Sequence, residues 1–143
     1  MGRVTSVVLG LVLSSPVFGQ LSCSAANYGP SCGPTLSATF QPLGSHQRIV
    51  FQMTGGYPDS VHGQLIIGLI NPNYPIPGTS CFLLTDWYFG HGFAWQEGTA
   101  VVTHSWPNEV IGLLRFQAFA FRLSGQGVEL MGSNGVAATC LLP

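Results

Sequence analysis

The sequence predicts an all-β fold, a two-sheet antiparallel β-sandwich (Ig-like or jelly-roll-like) of roughly eight strands, stapled by disulfides. No segment shows sustained helical periodicity. The 19 glycines and 10 prolines among 143 residues interrupt the chain about every eight to twelve residues, which is typical of all-β domains. Because no helix is predicted to cover a sheet, two sheets must bury their apolar faces against each other.

The central part of the chain contains the clearest strand patterns. "QRIVFQM" alternates, with Ile49, Phe51 and Met53 on one face. "HGQLIIGLI" is a continuous apolar run, as expected of a strand covered on both sides. Residues 71–80, "NPNYPIPGTS", are too rich in proline for a regular element and predict a long connection. Further strand candidates are "CFLLTDWYF", "TAVVTH", "LLRFQAFAFRL", "GVELM" and "GVAATCLL".

Two glycine-bounded segments predict tight hairpin turns. They are "SGQG" at residues 124–127 and "GSNG" at residues 132–135, and both can supply the positive φ angles that such turns require. Together they predict an antiparallel meander of three strands in the last third of the chain.

The first nineteen residues have the pattern of a secretory signal peptide. Arg3 precedes an apolar run, and Val17 and Gly19 suit cleavage before Gln20. The run is about half of the roughly 20 residues that a membrane span needs, so we expect no stable span in the mature chain. The sequence therefore predicts one domain, residues 20–143, that is secreted or displayed at the cell surface.

The chain carries very little charge. Charged residues make up 6% of it, no lysine is present, and the formal net charge is −1. A nucleic-acid partner is not expected, because phosphate binding needs a basic patch that three scattered arginines after residue 19 do not supply. A nearly uncharged surface also resists self-association poorly.

Four cysteines follow the export signal: Cys23, Cys32, Cys81 and Cys140. An oxidising compartment favours two disulfides, and the residues alone leave three pairings open, including the local pair Cys23 with Cys32. No metal site and no cofactor are predicted, because there is no Cys-x-x-Cys pair and the four histidines lie in separate segments.

Several segments together resemble short secreted β-sandwich modules that are numerous in the exported proteins of planctomycete-type bacteria. They are "YGPSCGPTLSA", "PLGS", "LIIGL", "IPGTSCFLL" and "WPNEVIGLLRFQAFAF". The resemblance covers nearly the whole mature chain. It implies a sandwich fold with no catalytic residues to carry over, and it implies pairing of Cys32 with Cys81, which leaves Cys23 with Cys140. The segment "DWYFGHGFAWQEG" is more aromatic than is usual in that family.

Two groups of polar residues are catalytic candidates by residue type. Asp59, Ser60 and His62 lie within one turn-like segment, whereas the members of a catalytic triad normally come from distant segments. Glu97 and Glu109 have no sequence context that supports a glycosidase pair. The sequence therefore predicts a protein that is not an enzyme.

The most unusual feature of the composition is an aromatic cluster, and about half of its members are expected to fill the core. The cluster comprises Trp87, Tyr88, Phe89, Phe93, Trp95 and Trp106. Aromatic side chains with few charged neighbours suit contact with a protein or stacking on a sugar. The first hypothesis is a structural or adhesive module that assembles with copies of itself or another cell-surface protein. The alternative is a carbohydrate-binding module that uses the segment from Trp87 to Trp106.

The strand "LLRFQAFAFRL" carries aromatic residues on both faces. We expect Leu114, Phe116, Ala118 and Ala120 to enter the core, because small alanines leave room for facing side chains. Phe119 and Phe121 then face outward. Two adjacent outward phenylalanines suggest cover, either by a partner, which is favoured here, or by the proline-rich connection of the same chain.

Overall fold

The computed structural model describes residues 21–44, 46–59, 62–106 and 111–142. The predicted signal peptide, residues 1–19, lies outside these residues. Ten strands follow one another along the chain: β1 (Ser22–Tyr28), β2 (Thr35–Leu43), β3 (His46–Thr54), β4 (His62–Gly68), β5 (Tyr74–Pro75), β6 (Phe82–Leu83), β7 (Phe89–Phe93), β8 (Thr99–Trp106), β9 (Gly112–Ser124) and β10 (Gly127–Leu141).

The architecture is an all-β sandwich of antiparallel sheets. One sheet has the order β1-β10-β9-β4-β7, and the other has the order β2-β3-β8. The short strands β5 and β6 form a separate two-stranded ladder. The predicted fold class is confirmed. The structure has ten strands rather than about eight, and the ten include β5 and β6, which are only two residues long.

The core lies between the two sheets, on the faces that the alternating patterns predict. Ile49, Phe51 and Met53 of β3 are all buried in it. Phe116, Ala118 and Ala120 of β9 face them, and the rings of Phe51 and Phe116 have centroids 4.6 Å apart. Apolar area removed from water contributes about 25 cal/mol per Å², so these facing residues supply much of the driving force for folding.

Strand β4 is covered on both faces, as its continuous apolar run predicts. Leu65 and its neighbour Ile66 point to opposite sides of the sheet, because successive side chains alternate in a strand. Both are fully buried. The five-stranded sheet therefore has a second layer on the face away from the core.

The predicted hairpin at "SGQG" is present, whereas the one predicted at "GSNG" is wrong. Ser124 pairs with Gly127 at the turn between β9 and β10. Residues 132–135 instead lie inside β10, where the register with β9 shifts between Gly132 and Gly135. Ser133 and Asn134 are buried at this irregularity, so the last third of the chain is one long hairpin rather than a three-stranded meander.

Two disulfides join distant parts of the chain. Cys23 and Cys140 are partners in the ladder between β1 and β10, and they are bonded to each other. Cys32 is bonded to Cys81. These are the pairs that the family resemblance implies, and the local pair Cys23 with Cys32 is not formed.

Candidate functional site

The outer face of the five-stranded sheet is covered by the chain's own connection between β4 and β7. Gln117 of β9 is fully buried there. Its Oε1 accepts a hydrogen bond from Leu84 N (2.8 Å), and its Nε2 donates to Phe82 O (2.8 Å) and Ser133 O (2.9 Å). One side chain thus fixes the connection to both β9 and β10.

Two further contacts fix the same connection from the β1 side. The Tyr28 hydroxyl donates to Leu84 O at 2.7 Å. The disulfide between Cys32 and Cys81 holds the start of β6 close to the segment that follows β1. The connection therefore belongs to the folded domain rather than being a free loop.

The expectation that a partner covers Phe119 and Phe121 is wrong for Phe119. Phe119 does lie on the outward face of β9, as predicted, but it is only 4% exposed. A Cβ atom placed on Gly132 would lie 3.0 Å from the Phe119 ring and 3.5 Å from Cys32 Sγ. Other parts of the same chain therefore pack closely around Phe119. Phe121 is half-buried, with its ring centroid 6.4 Å from that of Phe119.

The prediction of a surface role is wrong for two of the three candidate tryptophans, which belong to the core. Trp95 is 4% exposed and packs edge-on against Phe93, at 5.2 Å between ring centroids. Trp106 is 3% exposed and lies 5.7 Å from Phe40. Trp106 is the last residue of β8 and Trp95 follows β7, and because both rings are buried, neither is available at the surface.

Of the other four aromatic residues of the cluster, Phe93 is half-buried and three are exposed side by side. Trp87, Tyr88 and Phe89 are 60%, 72% and 68% exposed. The ring centroids of Tyr88 and Phe89 lie 6.3 Å apart. These three residues form the aromatic triplet, and it lies at the start of β7.

Hydrogen bonds to the Asp86 carboxylate tie together the two segments that form this surface. Asp86 Oδ1 accepts hydrogen bonds from the backbone N–H groups of Leu69 (2.6 Å) and Ile70 (2.7 Å). Tyr88 N donates to Ile67 O at 3.0 Å. The segment after β4 and the segment before β7 are therefore tied together, and both present apolar side chains to solvent. Sequence reasoning missed Asp86, whose only signal was a lone acid beside three aromatic residues.

Most of the exposed large apolar side chains gather at one end of the sandwich. The ladders place the end of β10, the start of β9, the end of β4 and the start of β7 beside one another. Ten of the fourteen large hydrophobic residues that are exposed lie at this end: Leu43, Leu69, Ile70, Trp87, Tyr88, Phe89, Ile111, Leu113, Leu141 and Leu142. We call this surface the apolar end.

Four of the seven charged residues in the described chain, Asp59, Glu97, Arg122 and Glu129, lie at the opposite end, whereas Arg48, Asp86 and Arg115 lie towards the apolar end. Arg122 Nη2 is 2.6 Å from Glu129 Oε2, and its guanidinium lies 4.3 Å from the ring centroid of Tyr57. The hydrogen bond from Arg122 holds the pKa of Glu129 below its ordinary value. Burial, followed by the charge of Glu129, raises the pKa of Tyr57. Towards the apolar end, the Asp86 carboxylate accepts hydrogen bonds from backbone amides, and the Arg115 guanidinium lies 5.1 Å from the ring centroid of Tyr28.

A pair of histidines lies where the edges of the two sheets approach each other. The rings of His91 on β7 and His104 on β8 meet edge-on, 4.8 Å apart. Burial, followed by the neighbouring His91, lowers the pKa of His104. Its Nε2 is buried without a hydrogen-bond partner. A cavity of about 180 Å³ beside it is lined mainly by core side chains.

The catalytic candidates are not brought together within the described residues. Asp59 Oδ1 lies 3.8 Å from Arg122 Nη1. Glu97 lies in the turn before β8 with a positive φ of 51°. Ser60 and Glu109 lie outside the described residues. In the part of the chain that the structure describes, no three His, Cys, Asp or Glu side chains group as metal ligands.

No protein-family model matches the sequence, and comparison with curated proteins and with solved structures finds no similar protein. The structure thus defines the class of the molecule, an antiparallel β-sandwich with two disulfides. In residues 21–142, apart from the short gaps, no helix is long and apolar enough to cross a membrane.

Proposed function

We propose that the protein is a secreted, non-enzymatic structural or adhesive module that assembles with copies of itself through the apolar end. The observation that carries this proposal is the gathering of ten exposed large hydrophobic residues at one end of the sandwich. Soluble monomers rarely expose large contiguous apolar patches, and such patches commonly mark sites of interaction.

The composition of the apolar end also favours a protein contact. Tryptophan and tyrosine are enriched at protein interfaces and at the residues that contribute most to binding. Trp87 and Tyr88 are held by a backbone that Asp86 and Ile67 already fix. Binding through a rigid surface loses less conformational entropy than binding through a mobile loop.

The charge distribution lowers a common barrier to self-association, because four of the seven described charged residues lie away from the apolar end. Like charges at an interface between identical copies repel and must lose their hydration. The four charged residues Asp59, Glu97, Arg122 and Glu129 lie towards the other end, at the turns after β3, after β7 and between β9 and β10. Two apolar ends can therefore meet without bringing these groups together.

Carbohydrate binding is the weaker proposal, because its segment is divided between the surface and the core. Trp95 and Trp106 are buried, which leaves Trp87 as the one exposed tryptophan of the three. Stacking along a sugar chain favours coplanar aromatic faces, whereas the exposed rings of Tyr88 and Phe89 are tilted by 47° to each other. A glycan array with the oxidised protein tests it, and we expect no binding that depends on Trp87.

Sedimentation velocity over a range of protein concentrations tests the self-assembly proposal. We expect the wild-type protein to associate, and the triple variant Trp87→Ser, Tyr88→Ser, Phe89→Ser to remain monomeric. A matched control replaces three exposed apolar residues elsewhere, Tyr74, Leu123 and Val128, by serine. A wild-type protein that stays monomeric at high concentration contradicts the proposal, as does equal loss of association in both variants.

Export is the remaining part of the proposal. The two disulfides and the signal-like residues 1–19 support a secreted or cell-surface location. We expect the exported protein to begin at Gln20, which mass spectrometry of its N-terminus can measure. An exported protein that retains residues 1–19 contradicts the cleavage site.

A further inference from the structure

The four edge strands of the two large sheets differ in how well they are protected. At one side of the sandwich, the side chain of Asn134 forms two hydrogen bonds with the backbone of β2. Its Oδ1 accepts from Leu36 N and its Nδ2 donates to Leu36 O, both at 2.9 Å. Strand β1 lies against β2 on the same side. This side of the sandwich is therefore close to being closed.

The other side of the sandwich is formed by β7 and β8, and there the edges are open. Within the described residues, the ladder of β7 is with β4 alone, and β8 pairs with β3 and, at its first residue Thr99, with Gln96. The two strands approach each other through the rings of His91 and His104 rather than through backbone bonds. An open edge presents unpaired N–H and C=O groups, whose natural complement is another extended strand.

Strand β7 lacks the features that usually protect an edge. Its sequence FGHGF contains no lysine, no proline and no acidic residue. Gly90 and Gly92 occupy the face of β7 opposite to His91, and a Cβ on Gly92 would meet no atom within 4 Å. Gly92 therefore contributes no side chain beside the edge, whereas the same face at Gly90 is occupied by the side chains of Gln64 and Trp87.

Strand β7 is also continuous with the apolar end, because Phe89 is both its first residue and a member of the aromatic triplet. Antiparallel pairing of β7 with β7 of a second copy is symmetric about His91. It places Phe89 of one copy opposite Phe93 of the other. The exposed aromatic side chains beside β7 then gain a neighbour that a single copy lacks.

We propose that the second copy adds to the open edge of β7, joining the two five-stranded sheets into one continuous antiparallel sheet. The proposal rests on the self-assembly proposed above and names the strand that mediates it. Backbone hydrogen bonds between the two β7 strands fix the orientation of the two copies. The aromatic triplet of each copy adds apolar contact area at both ends of the paired strands.

A lysine on the strand edge tests this directly, because exposed lysines are a common natural protection against edge pairing. The variant is Gly92→Lys, and the matched control is Gly125→Lys in the turn between β9 and β10. Both glycines are exposed, both lack the positive φ that favours glycine, and neither has an atom within 4 Å of a Cβ. Sedimentation velocity gives the dissociation constant, and hydrogen exchange gives the protection of the amides of residues 89–93.

We expect Gly92→Lys to raise the dissociation constant at least about tenfold, while Gly125→Lys leaves it unchanged. Amides of β7 in the wild-type protein should become more protected as concentration rises. Normal association of Gly92→Lys overturns the β7 proposal while the triplet variant still tests self-assembly. If Thr103→Lys on β8 abolishes association and Gly92→Lys does not, the contact lies at the edge of β8, and this result also overturns the β7 proposal. A monomeric wild-type protein overturns both proposals.

Discussion

Replacing Gln117 by leucine should strongly destabilise the fold, although the volume of the side chain hardly changes. The substitution removes three hydrogen bonds, to Leu84 N, Phe82 O and Ser133 O, and puts nothing polar in their place. Each buried polar group left without a partner costs about 1–3 kcal/mol, so for three such groups the expected loss of unfolding free energy is at least about 3 kcal/mol.

Urea denaturation followed by tryptophan fluorescence measures this loss, because Trp95 and Trp106 are buried in the native core. The matched control is Gln52→Leu, at an exposed position on β3, which should change stability by less than about 0.5 kcal/mol. Hydrogen exchange at Leu84 N should also become faster in the Gln117 variant. A stability within about 1 kcal/mol of the wild type would refute the role assigned to Gln117.

Three further predictions follow from burial, the disulfides and the pKa of a histidine. Phe119→Ser should lower the free energy of unfolding by about 3–5 kcal/mol, whereas Leu123→Ser at an 85% exposed position should leave it nearly unchanged in the same urea assay. Replacing Cys23 and Cys140 together by alanine opens a loop with a sequence separation of 117 and should cost about 5 kcal/mol in the chain-entropy model; unchanged thermal unfolding contradicts this. Burial lowers the pKa of His104 below its ordinary 6.5, so its contribution to stability is present above that pH and is lost as pH falls below it. The melting temperature should therefore fall less on acidification in His104→Gln than in the wild type, and an identical fall in both contradicts the assignment.

The sequence predicted those parts of the fold that depend on local patterns. The alternation in β3 and the alanines of β9 identify the core faces, because a side chain's face follows from its position in a strand. The irregular segment of β10 was not predictable, since Asn134 bonds to Leu36 across a separation of 98 residues. Glycines at 132 and 135 resemble a turn until that distant contact is known.

The candidate site was only partly predictable for a similar reason. Composition identified the aromatic cluster, but the division between core and surface depends on which sheet each residue faces. Trp106 packs against Phe40 and Phe116, which come from different sheets. The cover over Phe119 depends on the side-chain bonds of Gln117, and no sequence pattern distinguishes a buried glutamine in a strand from a solvent-exposed one.

Acrylamide quenching of tryptophan fluorescence at increasing protein concentration tests the apolar end most directly. Trp87 is 60% exposed, whereas Trp95 and Trp106 are 4% and 3% exposed, so the quenchable emission reports on Trp87. We predict that this emission becomes protected as the protein associates, and that Gly125→Lys behaves in the same way. If Trp87 stays fully quenchable while sedimentation shows association, the contact lies elsewhere and the apolar end is not the assembly surface.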